Sequence, residues 1–513
     1  MQPSVLEPRA DQFSTLEQER REFVSAIPAV LRSAYALESA TGTPIAAGGK
    51  DVQDRIRAMF PETVGQEAVS IVPTSMDMDT SISLRVGCVL SGGQASGGHN
   101  VIIGVYDWLK KNATGADTAL YGFLDGPHGI FSGNYVVLDE ARVDLYRNQG
   151  GFDMIGSGRH KIHDPEQFEG ARRSAEALRL DGILVIGGDD SNTNACMLGE
   201  YFQKCGLKTA VVGAPKTIDG DLKAVESGLE TSFGFDSACK CFSECIGNIQ
   251  TDCYASQKYY HFIRLMGRSA SHIALECALQ CHPNMCLIGE EVAAKSSTAL
   301  EVATAIADMI EARAAQGKHY GTVLVPEGLI EFFPSVQALI TEINDAIGNG
   351  ADATPEALSR LLSAAAVQTL SSLPPEIQQQ LILDRDPHGN VQVSAIETEV
   401  LLISMAGSIL AKRRESGSYS GSFPAGAQSH FLGYEGRTLP PTLFDSSYCA
   451  AVGAAAAVLI RERMNGYIAV IRNLNQPVEK WVPGTPAILE PSLMHCDCSD
   501  LYESWQGACH SPP

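Results

Sequence analysis

From Leu84 onward, short apolar runs alternate with longer mixed stretches, and several of the apolar runs end in glycine, serine or aspartate. Arg85–Leu90 reads as a strand closing on Ser91-Gly92-Gly93, with a helix over His99–Lys110 after it. Ile183–Ile186 is a continuous apolar run, the pattern of a strand buried on both faces. Ser191 is placed to cap the helix that follows. Thr209–Val212 is a further strand, and Tyr260–Leu265, Met285–Ile288 and Gly321–Val325 continue the series. Helices are expected at 269–279 and 297–315. The alternation predicts an α/β protein with parallel-rich sheets covered by helices on both faces. Ligands of such sheets bind beyond the carboxyl ends of the strands.

Two regions depart from this rhythm. Residues 1–80 form an N-terminal extension, with patchy helical periodicity from Leu6 to Tyr35 and a small-residue loop from Ala40 to Lys50. Residues 335–390 read as an α-helical insertion. Thr354-Pro355 starts a helix there by the cap-then-proline rule, and Leu358, Leu361, Leu362 and Ala365 are expected on its apolar face. Pro374-Pro375 breaks the chain before a second helix through Ile377 and Leu381.

Composition narrows the function. The chain has 513 residues, 44% of them apolar, enough for more than one sizeable core. Its formal net charge of −22 disfavours nucleic-acid binding, which needs basic stripes. An acidic protein that takes an anionic substrate must gather its few Arg and Lys locally. Fourteen cysteines are scattered without a compact disulfide framework, which points to a reducing, cytoplasmic setting. Met1–Arg21 is polar and lacks the apolar core of a secretory signal. No run of 18 or more apolar residues was found, so no membrane span is expected. The sequon Asn112-Ala113-Thr114 is read as chance.

Two segments carry candidate chemistry. Residues 187–194 read Gly-Gly-Asp-Asp-Ser-Asn-Thr-Asn, and residues 215–221 read Pro-Lys-Thr-Ile-Asp-Gly-Asp. The glycines allow close backbone approach to a ligand. A helix starting near Ser191 turns its first N–H groups to the same space, which favours phosphate. Carboxylate oxygen from Asp189 suits Mg²⁺. Asp219 and Asp221 flank Gly220 and can face one cavity, where an Asp can act as general base. Lys216 supplies a point charge and Thr217 a hydroxyl. Together they point to phosphoryl transfer. Cys281-His282 with Cys286, and His495-Cys496-Asp497-Cys498, lack a second ligand pair at zinc-finger spacing and are read as thiols rather than metal sites.

In their order these motifs, with Ser91–Asn100, Ser157-Gly158-Arg159, Leu265–Ser269, Pro326-Glu327-Gly328 and Gly433–Arg437, resemble the phosphofructokinases, specifically the long pyrophosphate-dependent fructose-6-phosphate 1-phosphotransferases. The resemblance runs from about Leu84 to about Pro486. It implies two Rossmann-like three-layer domains. A donor-binding domain would span 81–235 plus about 440–475. A sugar-phosphate domain would span 236–439, leaving 476–513 as a C-terminal tail. The implied reaction is reversible, Mg²⁺-dependent transfer from pyrophosphate to fructose 6-phosphate, giving fructose 1,6-bisphosphate and phosphate in glycolysis.

The resemblance also implies roles. Gly92 and Gly93 would cradle donor phosphates and Arg159 would hold the phosphoryl region. Asp189 would position Mg²⁺, and Asp219 would take the proton from the sugar 1-hydroxyl, with Asp221 and Thr217 assisting. Met266, Gly267 and Arg268 would line the sugar phosphate site, with Arg268 also counted among the catalytic groups. Glu327 would bond sugar hydroxyls, and Tyr434 and Arg437 would grip the 6-phosphate. ATP-using relatives carry glycine in the places of Asp190 and Lys216. Here Asp190 would occupy the space of a nucleotide α-phosphate and repel it, while Lys216 would reach the remaining phosphate of pyrophosphate.

The chain also departs from shorter relatives. Tyr259, beside Lys258, stands where they have an arginine that reaches a neighbouring subunit, and Gln94 and Ser96 replace Asp and Pro. The expected assembly is a homodimer or homotetramer. Two other readings stand beside the main one: the same sugar phosphorylation with ATP, and a nonenzymatic regulatory subunit. The family's noncatalytic subunits alter the Thr-Ile-Asp segment, and this chain keeps it.

Overall fold

The computed structural model describes residues 13–40, 50–225, 228–268, 270–352, 354–358, 360–385, 391–421, 423 and 427–486. The loop expected at Ala40–Lys50, the tail from His495 and Ser269 of the Leu265–Ser269 motif lie wholly or mainly outside them. The chain divides into two units: residues 1–237 with 437–513, and residues 238–436.

In the first unit, short, largely apolar runs form Arg85–Leu90 (β1), Ala119–Phe123 (β2), Gly182–Gly187 (β3) and Ala210–Thr217 (β4). They pair in parallel in the order β4-β3-β1-β2. The register sets Val86 opposite both Leu120 and Gly182, and Leu184 opposite Val212. Every residue of β3 is buried, as its unbroken apolar run requires. The chain leaves β1 toward β2 on one side and returns to β3 on the other. The switch point of the sheet therefore lies between β1 and β3, where α/β proteins open their ligand crevice.

The helices Gly98–Asn112 (α1) and Asp189–Lys204 (α2) follow β1 and β3. The cap of α2 is Gly188, not the expected Ser191. The cap lies three residues earlier because Gly188 already takes extended backbone, so Asp189 and Asp190 fall in the first turn. Ser191 instead donates from Oγ to Ser91 Oγ at 2.8 Å and ties the loop after β3 to the loop after β1.

Leu443–Arg461 (α3) is a long, mostly apolar helix. By length and composition alone it could cross a membrane, with a mean hydropathy of 1.7. Asp445, Ser446 and Ser447 interrupt its apolar run near the start. In the structure 89% of that window is buried inside the protein, so α3 is a core helix. It crosses α1 on glycines. A Cβ on Gly104 would stand 2.3 Å from the Ala450 carbonyl oxygen, and one on Gly453 would stand 2.0 Å from that of Val101. Its buried Asp445 is pushed up to about 6 by burial and accepts from the Ser237 hydroxyl at 2.6 Å and the Ser237 N–H at 2.9 Å.

Among its described residues the N-terminal region contains the helices Thr15–Arg20 and Lys50–Met59, a single 3-10 turn at Ala29–Arg32, and the strands Tyr35–Ser39 and Val69–Pro73. With Val470–Arg472 and Val482–Gly484 these strands form an antiparallel four-stranded sheet. Five-residue strands carry too little pattern to be read locally; Tyr35–Ser39 pairs with Val69–Pro73, and Val69–Pro73 pairs in turn with Val482–Gly484, some 400 residues away.

The second unit is built on Tyr260–Leu265 (β5), Gly321–Pro326 (β6) and Gln428–Leu432 (β7), parallel in the order β6-β5-β7, with Met285–Cys286 beyond β6. Helices Ala299–Ala314 and Thr398–Glu415 cover it. Arg264 and Glu399 form a buried ion pair at 2.8 Å under this layer. Residues 334–383 are helical, in four pieces. Leu358, Leu370, Ile377 and Leu381 join the core that the strands share. Leu361 does not: it is 62% exposed, and Ala365 is exposed too. The helix starting at Pro355 stops at Leu358, so the expected stripe through Leu361 and Ala365 never forms.

Candidate active site

Three loops of the first unit meet at the carboxyl ends of β1, β3 and β4. The loop after β1 carries Gly92, with φ +82, a conformation that favours glycine. The Gly92 N–H donates to the Gly158 carbonyl at 2.9 Å, and Ser157 Oγ donates to the Gly92 carbonyl at 2.7 Å. These bonds pin the Ser157-Gly158-Arg159 segment to the glycine loop and bring Arg159 with it.

Cations converge on this loop. A Cβ on Gly92 would lie 3.4 Å from Lys216 Nζ. A Cβ on Gly93 would lie 2.9 Å from one guanidinium nitrogen of Arg437 and 3.8 Å from one of Arg159. Three positive side chains therefore crowd a space that only glycine leaves open. Lys216 is 7% exposed. Burial lowers its amine to about 8, and Arg437 and Arg159 lower it too, while Asp219 and Asp189 oppose the shift. A polyanion placed here would relieve the mutual repulsion.

Opposite charge stands beside the cluster. Asp189, partly buried, is held above the usual carboxylate range, first by burial and then by the neighbouring Asp190 and Asp221. Asp219 is 9% exposed, and its N–H donates to Thr217 Oγ1 at 3.0 Å, which folds the loop after β4 into a tight turn at Gly220. Asp190 is more open. Its carboxylate is paired with Lys161 at 3.1 Å, and its side chain is 52% exposed. Lys161 was missed in the sequence, although it lies two residues after Arg159. Ser157 and Ser191 were likewise not singled out as loop ties.

Among the described residues no three Asp, Glu, His or Cys side chains form a ready metal cage. Asp189 nevertheless fits magnesium. Its half-buried, crowded carboxylate gains from a cation, and Mg²⁺ is commonly held by one or two carboxylates with substrate phosphates and water completing the shell.

The second unit assembles a different set, again at the carboxyl ends of parallel strands. Met266, Gly267 and Arg268 follow β5, Glu327 follows β6, and Tyr434 follows β7. The Gly267 N–H donates to the buried Glu327 Oε2 at 3.0 Å. Gly267 has φ +140, and the Gly328 N–H donates back to the Gly267 carbonyl at 3.2 Å. A Cβ on Gly328 would stand 1.9 Å from the Arg268 carbonyl oxygen, so glycine is required at this crossing. Glu331, beside Arg268 and Glu327, is raised mainly by burial. Tyr434 is 72% exposed. Arg437, in the first unit, has its guanidinium against Gly93.

The phosphofructokinase family model matches residues 85–369, more than half of the chain. The chain belongs to the phosphofructokinase family. Its similarity to individual members extends further. It is 50% identical to the pyrophosphate–fructose 6-phosphate 1-phosphotransferase subunit beta of Ricinus communis, over 93% of this chain and 85% of that protein. It is 48% identical to the pyrophosphate–fructose 6-phosphate 1-phosphotransferase of Treponema pallidum, over 92% and 84%. The crystal structure of a pyrophosphate-dependent phosphofructokinase from Nitrosospira multiformis aligns with a TM-score of 0.53 at 16% identity, covering 79% of this chain and 82% of that one, which establishes the shared phosphofructokinase fold.

Proposed function

We propose that the chain transfers a phosphoryl group from pyrophosphate to the 1-hydroxyl of fructose 6-phosphate, reversibly, giving fructose 1,6-bisphosphate and phosphate. The observation that carries the donor choice is the buried Lys216 amine at Gly92, in a position that ATP-using relatives leave to glycine. Lys216 reaches the remaining phosphate of pyrophosphate, while Asp190 takes the volume that a nucleotide's α-phosphate would need and repels it.

The residues divide the work. Gly92, Gly93, Arg159, Lys216 and Arg437 hold the donor, with Arg437 read as a donor contact because of its place against Gly93. Asp189 would hold magnesium, assisted by Asp221; when bound, the metal neutralises charge on the phosphates. Asp219 accepts the proton as the sugar oxygen bonds to phosphorus and the bridging P–O bond breaks. Met266, Gly267, Arg268 and Glu327 receive the sugar phosphate, and Tyr434 lies at its 6-phosphate. Thr217 fixes the turn that carries Asp219. Positioning and neutralisation supply most of the rate in this chemistry. The eleven described cysteines are free thiols, which supports a reducing, cytoplasmic setting. A homodimer or homotetramer is the proposed assembly.

An assay offering each donor separately tests the reading. Pyrophosphate should sustain turnover and ATP should not. The Asp190→Gly, Lys216→Gly variant should gain measurable ATP use. ATP turnover without pyrophosphate turnover in the unaltered chain would overturn the donor assignment, and binding without any turnover would favour the regulatory-subunit reading.

A further inference from the structure

His99 lies in the first turn of α1, directly after the glycine loop, and is wholly buried. The Met154 N–H donates to its Nε2 at 3.2 Å. Nε2 therefore carries the lone pair, and the proton sits on Nδ1, which donates to the Gln149 carbonyl at 3.2 Å. Both ring nitrogens thus bind one short segment, residues 149–154. The ring meets that of Tyr146 edge-on at a centroid distance of 4.9 Å, which fixes its plane. Asp153 Oδ1 stands 3.9 Å from Nε2, beyond hydrogen-bond reach.

The segment that His99 holds lies against two other stretches of the first unit. A Cβ on Gly150 would stand 1.9 Å from the Thr438 carbonyl oxygen and 2.4 Å from that of Leu439. A Cβ on Gly151, at φ +83, would lie 3.5 Å from Gln94 Oε1 in the glycine loop. Ser96 Oγ donates to the Leu439 carbonyl at 2.7 Å, so those two stretches are also joined to each other. A Cβ on Gly98 would run into the Phe152 ring at 2.3 Å, which shows how closely the segment packs on the start of α1. Each end of the arrangement leads to an arginine. Thr438 follows Arg437, whose guanidinium lies at Gly93. Met154 leads to Arg159 through Ile155, whose carbonyl accepts from the Asp125 N–H at 3.2 Å, and through Ser157, bound to the Gly92 carbonyl.

We propose that His99 is a positioning residue for the donor: by holding Gln149 and Met154 together it sets Arg437, through Gly150 and Thr438, and Arg159, through Ser157, against the glycine loop. The proposal rests on the reading of those two arginines as donor contacts. A leucine in its place would fill the space and offer neither bond, leaving the Met154 N–H and the Gln149 carbonyl unpaired where the side chains around them are buried. The segment would then shift toward other partners and carry the arginines with it. The groups assigned to the sugar, Met266 to Arg268 and Glu327, follow β5 and β6 instead, so the effect falls on the donor.

Initial rates and thermal melts of the full chain separate this role from one in stability alone. His99→Leu should raise the pyrophosphate KM by about tenfold or more, with the fructose 6-phosphate KM within about threefold of the parent. His99→Gln, whose carboxamide oxygen stands in for Nε2 and accepts from Met154, should return the pyrophosphate KM to within about threefold, the effect of one lost hydrogen bond. Phe202→Leu, a core truncation near the far end of α2, should lower Tm without raising the pyrophosphate KM. If His99→Leu does not fold, His99→Asn, which keeps the bond to Gln149 and loses that to Met154, carries the same expectation. An unchanged pyrophosphate KM in the Leu and Asn variants, an equal rise for both substrates, no recovery in His99→Gln, or a rise in Phe202→Leu as large as in His99→Leu would overturn the proposal. Turnover of the unaltered chain with ATP and not with pyrophosphate would remove the donor assignment alone; the ATP KM should then follow the same pattern, and its failure to do so would remove the role of His99 as well. In a chain that does not turn over, calorimetric titration with pyrophosphate decides by the same ratios, and equal affinity in parent and His99→Leu would overturn it.

Discussion

At the residue scale, Lys216 carries the most consequence. A buried amine beside two guanidinium groups holds its proton weakly, and its pKa is lowered to about 8. The ammonium form is the one that attracts the donor, and it is lost at lower pH than for an exposed lysine. The kcat/KM for pyrophosphate should therefore fall as pH rises through about 8, in initial-rate measurements at saturating sugar. Lys216→Met should bind pyrophosphate more weakly and show no such inflection; an unchanged profile would remove the amine from donor binding. Asp219 is the other decisive position. Asp219→Ser should lower kcat by about 10²–10⁴-fold, the usual contribution of a general base, with the fructose 6-phosphate KM within a few-fold of the parent. Turnover near normal would refute its role as base.

At the element scale, the contact between α1 and α3 positions the glycine loop proposed to hold the donor, because that loop runs straight into α1. The two helices approach through Gly104 and Gly453, where a side chain would meet a carbonyl oxygen. Gly453→Val should therefore cost about 3 kcal/mol by overpacking. A thermal melt should show a clear drop in Tm, and pyrophosphate affinity should weaken with it. A melt equal to that of the parent would mean that the crossing relaxes freely. The Arg264–Glu399 pair in the second unit illustrates another element-level device: two buried charges that stabilise only while both are present.

For the whole molecule, the division of labour follows the two units. Each sets a parallel sheet with its chemistry at the carboxyl ends of its strands, and each gathers a separate charge pattern there. The first unit concentrates cations in an acidic chain, and the second buries Glu327 beside Gly267, whose positive φ favours glycine. Light scattering should give a mass of two or four times the 54.8 kDa protomer. A stable monomer with full activity would rule out the proposed assembly.

The parallel strands and the chemistry at their ends were legible because both are local. A buried strand must be apolar throughout, and a phosphate loop must be glycine-rich, whatever the rest of the chain does. Arg85–Leu90, Tyr260–Leu265 and the segments at Asp189 and Asp219 could therefore be read in place. Long-range features could not. The antiparallel sheet joins Val69–Pro73 to Val482–Gly484, and no local pattern encodes a partner some 400 residues distant. The seat of Arg437 against Gly93, the pairing of Lys161 with Asp190, the burial of α3 and the bonds of His99 to Gln149 and Met154 depend on which surfaces meet. The residues themselves determined which groups are present and what chemistry they can do. Tertiary packing decided which of them share a space, because proximity, burial and the pKa shifts that follow are properties of neighbours brought together by the fold.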